Sequence, residues 1–206
     1  MKSYITVSKR AENEILIEKS RFIGYTNSAF YEEEARSFIA EIKKLHPFAT
    51  HNCYAYIVDN GAIARFSDDG EPQGTAGMPI LEAIKNKGLV NTAVVVTRYF
   101  GGIKLGAGGL TRAYSASASE VLKKAEISEF IFSAIYSVTL SYDLYGGYEK
   151  FKSAFKNKVV STSFGSEVTL TVAVPEEIDF IKKATDFFIG KIKIEKTGEE
   201  FIDYKV

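Results

Sequence analysis

Tryptophan is missing from this chain and cysteine occurs once, at Cys53. A single thiol excludes an internal disulfide and any cysteine-rich zinc site. Histidine is nearly as scarce, with only His46 and His51. His46 and His51 have the spacing of two ligands on one helix face, but Pro47 between them rules that helix out. Net charge is also lacking: 26 Lys and Arg offset 26 Asp and Glu. Adhesion to nucleic acid through overall charge is therefore not expected, and any anion site must be local. No stretch of eighteen consecutive apolar residues occurs, and MKSYITVSKRAENEI has no apolar signal core. No membrane association and a cytoplasmic location are expected. Internal repeats and low-complexity segments are absent as well.

What is present is apolar and ring-rich. Hydrophobic residues make up 46% of 206, with twelve Tyr and fifteen Phe, so ring packing must carry much of one or two modest cores. Tyr31, Ala35, Phe38, Ile39, Ile42 and Leu45 repeat at helical spacing, and Pro47 stops that helix. Strands are expected at 4–8, 14–19, 21–29, 51–58, 63–66 and 92–98. The last of these is continuously apolar over Ala93–Val96, as in a central strand. A helix is expected at about 77–87, with Pro79 in its first turn. From residue 129 the order becomes β-α-β-β-α-β, the ferredoxin-like arrangement. It consists of a long strand at 129–141, a Gly146-Gly147 break before a short helix, and a hairpin over 159–174. A helix opened by Pro175-Glu176-Glu177 and capped by Gly190 follows, then a last strand through Ile192 and Ile194. The fold class is thus α+β in two domains, 1–127 and 128–206.

Glycine is concentrated where chemistry is sought. Gly101, Gly102, Gly106, Gly108 and Gly109 lie between the central strand and a small-residue helix that runs to about Ala125. Backbone N–H groups of such a loop can converge as a nest for an anion, and the helix onset near Gly109–Thr111 adds its positive end. Arg98, Lys104 and Arg112 supply donors suited to phosphate, with Thr111 at the helix start. The other reading is a tight connection whose glycines only let helix and sheet approach. No Walker motif aligns here, and GAGGLT puts Thr111 where a dinucleotide fingerprint needs its third glycine.

A second loop, Ser67-Asp68-Asp69-Gly70-Glu71, places three carboxylates in four residues. They suit Mg²⁺ coordination or general-base work, or else a solvated turn. With Arg65 and Arg98 they would line a mixed-charge cleft if both loops share one sheet end. Cys53 and His51 fall on one strand face and read as a core thiol and a satisfied imidazole; a nucleophile pair requires both to be exposed. Ser115, Ser117 and Ser119 lack a nucleophile elbow. No catalytic residue and no cofactor are assigned.

The strings RFSDDGEPQGTAGMPIL (65–81) and VVTRYFGGIKLGAGGLTRAYSASA (95–118) resemble the signature of the IMPACT family, in its bacterial YigZ-like branch. The resemblance covers about residues 20–125, and the second half is similar to the C-terminal domain of the bacterial members. It implies that the first domain adopts the fold of the second domain of ribosomal protein S five, a sheet backed by helices on one face. That fold is shared with domain four of elongation factor G and with galactokinase-type small-molecule kinases. The second domain is implied to resemble domain five of elongation factor G. The resemblance implies contact with RNA, the ribosome or a translation-associated protein; eukaryotic members restrain a starvation-sensing kinase by competing for its activator. The expected function is a non-enzymatic module that binds RNA or translation components, with a regulatory role in translation. The alternatives are an enzyme acting on a phosphorylated or nucleotide-like small molecule and a protein-docking adaptor.

Overall fold

The computed structural model describes residues 3–175 and 178–205. The chain is α+β and divides into two compact units, Tyr4–Glu129 and Phe130–Tyr204.

In the first unit, β1 (Ser3–Lys9) precedes the strands β2 (Ala11–Ile17) and β3 (Ser20–Ser28), helix α1 (Glu32–Leu45), and strands β4 (His51–Val58) and β5 (Ile63–Ser67). Helix α2 (Gly77–Asn86), strand β6 (Thr92–Tyr99) and helix α3 (Gly106–Lys124) complete it. The sheet runs β2-β3-β6-β4-β5, antiparallel throughout. Strand β6 sits at its centre, and its apolar run has a simple cause. Val94 and Val96 pack with Phe22, Ala55, Ile80, Tyr114 and Leu122 under α2 and α3, while Ala93 and Val95 pack with Ile23, Phe38 and Ile42 under α1. Alternate side chains of one strand thus feed two cores. This corrects the implied one-sided sheet: α1 covers the opposite face, because Ala93 and Val95 of β6 are apolar too. Helix α3 lies tightly on β3, where a Cβ on Gly24 would stand 3.0 Å from the Ser117 carbonyl oxygen. The buried Ser117 and Ala118 permit that approach.

In the second unit the long strand β7 (Glu126–Leu140, its first residues in the first unit) is followed by α4 (Tyr142–Lys152), β8 (Lys158–Phe164), β9 (Val168–Pro175), α5 (Phe180–Phe187) and β10 (Lys193–Lys205). β9 lies between β7 and β8, antiparallel to both, and β10 pairs with β7 on its other side. Val168, Leu170, Val172 and Val174 point into the core, as their alternation predicts, and Phe151 packs against the rings of Phe180, Phe187 and Phe188. Two expectations fail here. Gly146 and Gly147 lie inside α4 rather than breaking it. Burial of Tyr148 and Phe151 on that helix outweighs a propensity cost of about 1 kcal/mol per glycine. The helix expected from Pro175 begins at Phe180, with the Asp179 carboxylate accepting from the Lys182 N–H; Glu176 and Glu177 lie outside the described residues. The Gly190 N–H donates to the Thr185 carbonyl at φ +70°, the expected glycine cap. Among the described residues no helix is long and apolar enough to cross a membrane.

Candidate functional site

Arg98 ends the central strand and stands opposite His51 in the register of β6 and β4, so both side chains leave the same sheet face. The Arg98 guanidinium lies over the rings of Phe22 and Phe100, 5.3 and 5.4 Å from their centroids. Its Nη1 donates to Glu71 Oε1 at 2.6 Å, and the Tyr114 hydroxyl of α3 donates to the same oxygen at 2.8 Å. Both charged side chains are almost wholly enclosed, Arg98 at 6% and Glu71 at 4% exposure. Arg98 is therefore not the free cation of the expected phosphate cradle. Burial first, then the neighbouring Cys53 and Glu71, pushes the Tyr114 phenol far above its ordinary range, so it remains a donor. Glu71 Oε2 faces His51 Nε2 across 3.8 Å, too far for a hydrogen bond. The other ring nitrogen, His51 Nδ1, lies 2.9 Å from the Asp69 carbonyl oxygen.

Asp68 and Asp69 are engaged by the fold. Asp68 accepts from the N–H groups of Gly74, Ala76 and Gly77 at 2.8–3.0 Å, capping α2, which has no cap of its own. Burial alone would raise its pKa, but those three donors prevail and hold it below the usual carboxylate range. Asp69 accepts from the Asn52 N–H and pairs with Lys43, both at 2.7 Å. Only Glu71 of the acidic loop reaches the Arg98 cluster. Among the described residues no three His, Cys, Asp or Glu side chains converge as a metal site. Arg65 is also elsewhere: it pairs in register with Tyr56, whose ring belongs to the α1 core. Cys53 is buried and its Sγ donates to the Asp68 carbonyl; desolvation, the leading cause, pushes the thiol up to about 12. Its burial is what the core reading anticipates.

The glycines of the loop fall into three groups. Gly101 serves close approach: a Cβ there would stand 2.0 Å from the Lys19 carbonyl oxygen. Gly102 and Gly106 hold φ of +87° and +68°, which favours glycine. Gly108, Gly109, Thr111 and Arg112 are helical, because α3 begins at Gly106, earlier than the expected onset near Gly109–Thr111. Thr111 donates its hydroxyl back to the Ala107 carbonyl and offers no capping group. The first turn of α3 has neither a side-chain cap nor an acidic residue, leaving its N–H groups unpartnered within the helix. Lys104 and Arg112 are exposed beside it.

The two loops do share one sheet end. A cleft of about 370 Å³ is lined by Glu71 and Pro72 from the acidic loop, His51 and Arg98 from the sheet, and the stretch from Lys104 to Ala107. Phe100, 46% exposed, stands at it. Arg112 and Lys104 border a second groove of about 530 Å³ with Glu18 and Ile103. No motif in the sequence singles out Tyr114 as a partner of Glu71. The signal that could have found it is chemical: a buried phenol requires a hydrogen-bond partner.

Every residue of the cleft lies within one segment that recurs in other proteins. The Impact N-terminal domain matches residues 18–122, which defines the class of the first unit. The chain as a whole belongs to the IMPACT family. It is 45% identical over 200 residues to the IMPACT family member YvyE of Bacillus subtilis (strain 168), covering 96% of this chain and 92% of that one. With the IMPACT family member YigZ of Escherichia coli (strain K12) it shares 33% identity over 86% of this chain and 90% of that protein. A crystal structure described only as that of a hypothetical protein aligns with a TM-score of 0.62 and 30% identity, covering 97% of this chain and all of that one, 100%.

Proposed function

We propose that this chain is a non-enzymatic binding module for RNA or an RNA-bearing component of the translation machinery, acting in the cytoplasm. The cleft at the start of α3 takes backbone phosphate. One observation carries the reading: the uncapped N-terminus of a 19-residue helix opens onto a cleft beside Lys104, with no acidic residue in its first turn. Helix N-termini with free N–H groups are anion sites, and an adjacent ammonium adds charge-assisted donors. The family resemblance, which implies translation-factor-like domains, favours the same partner class.

Fluorescence anisotropy with structured RNA across a salt series tests it. Affinity should fall steeply with salt, and Lys104→Ala with Arg112→Ala should weaken binding and flatten the salt slope by roughly one for each phosphate contact removed. Absence of binding at low salt, or binding indifferent to the double variant, would sink the reading. Arg98 is unsuitable for this test because it is buried in an ion pair.

A further inference from the structure

We propose that the same cleft reads the end of an RNA chain: the pair His51 Nε2 and Glu71 Oε2 accepts hydrogen bonds from the 2′,3′-diol of a terminal ribonucleotide. The inference rests on the phosphate-binding reading above and adds a second recognition element to it.

The argument begins with proton placement. A carbonyl oxygen only accepts, so the 2.9 Å contact between His51 Nδ1 and the Asp69 carbonyl puts a proton on Nδ1. In the neutral ring Nε2 then presents a lone pair. Glu71 Oε1 is occupied by Arg98 Nη1 and the Tyr114 hydroxyl, while Oε2 accepts no hydrogen bond from a described residue. With the His51 ring neutral, two acceptors face one another across 3.8 Å, and both residues line the cleft. Such a pair is unsatisfied until something donates to both. Glu71 has 4% side-chain exposure and lines the cleft, so a donor reaches it from the cleft.

A vicinal diol supplies one O–H to each acceptor. A sugar carrying that diol also carries a base and a phosphate. The half-exposed ring of Phe100 offers the base a stacking surface in the same cleft. The first turn of α3 and Lys104 face the phosphate. A cleft of about 370 Å³ accommodates a compact group, which matches one terminal residue better than a strand running through. A free nucleoside monophosphate presents the same chemistry, so the experiment includes it.

Short RNA oligonucleotides of one sequence, ending in a free diol, a 3′-phosphate, or a 3′-deoxyribose, are compared by fluorescence anisotropy with the full chain. The diol should bind roughly 5- to 100-fold more tightly than either blocked end, the range expected when buried acceptors are left unpaired. His51→Ala should collapse that ratio towards one while leaving the salt dependence in place. Competition with adenosine 5′-monophosphate at concentrations similar to the RNA would assign the site to mononucleotides; failure to compete would assign it to RNA ends. Equal binding of all three ends overturns the inference and leaves the RNA-binding reading standing. No binding of any of them overturns both. The comparison of ends uses the native protein, so the result does not depend on the variant folding.

Discussion

Glu71 is the residue on which the site turns, because it is buried with a single strong cation for company. Arg98 and Glu71 neutralise one another at 6% and 4% exposure. Removing either leaves an uncompensated buried charge, a change that costs roughly 3–5 kcal/mol in comparable sites. Chemical denaturation of Glu71→Ala and Arg98→Ala should each show a loss of that size; a loss under 1 kcal/mol would mean the pair is hydrated. Asp68 makes a different prediction. Its carboxyl is held below the ordinary value of 3.8 in the folded chain. The unfolded state therefore binds more protons around and below that value, and stability rises with pH there. The stabilisation is complete above the unfolded value and disappears as pH falls through the lowered folded one. Asp68→Ala should cost about 0.5–2 kcal/mol at neutral pH, as capping residues do, and should reduce the acid sensitivity in that window. Urea midpoints measured between neutral pH and pH 2 check both parts.

At the scale of elements, the connection between β6 and α3 sorts its glycines by mechanism. Gly101 is held by space: the Lys19 carbonyl oxygen would lie 2.0 Å from any Cβ. Gly102 is held by conformation, with φ of +87° and open space around it. Gly101→Ala should therefore displace the turn between β2 and β3 and destabilise by more than the 1–3 kcal/mol typical of overpacking. Gly102→Ala should cost only about 1 kcal/mol through backbone strain. Thermal unfolding of the two variants discriminates the two causes, and equal losses would count against them. Sequence density of glycine marked this connection as unusual, but the reading of a nest over Gly101–Gly109 merged three different structures. Gly108 and Gly109 are helical, Gly101 is a packing contact, and only Gly102 and Gly106 use positive φ. Composition alone cannot separate these, because all three demands are met by the same residue type.

For the whole molecule, the cancelling charges remain the main constraint. With 26 residues of each sign, long-range attraction to RNA is weak, and the proposed binding would have to arise from local groups. Added salt should therefore act mainly through Lys104, Arg112 and the α3 terminus. A double variant at Lys104 and Arg112 should retain its thermal stability, since both side chains are exposed, while losing affinity. Differential scanning calorimetry beside the anisotropy series would show that separation.

Much of the architecture is legible from pattern alone. The period of 3.6 in α1, the unbroken apolar run of β6 and the strict alternation in β9 each follow from burying apolar surface on a regular backbone. A cleft shared by the two motif strings was conditional on both loops lying at one sheet end, which the structure shows. What only tertiary structure decided is which polar groups meet there. Arg98 turned inward to Glu71, Asp68 reached across to cap α2, His51 joined the cleft from β4, and Tyr114 of α3 donated to the buried Glu71 carboxylate. A charged residue carries the same letter whether it faces water or an ion pair. Its role is settled by partners tens of residues away, which local periodicity does not encode.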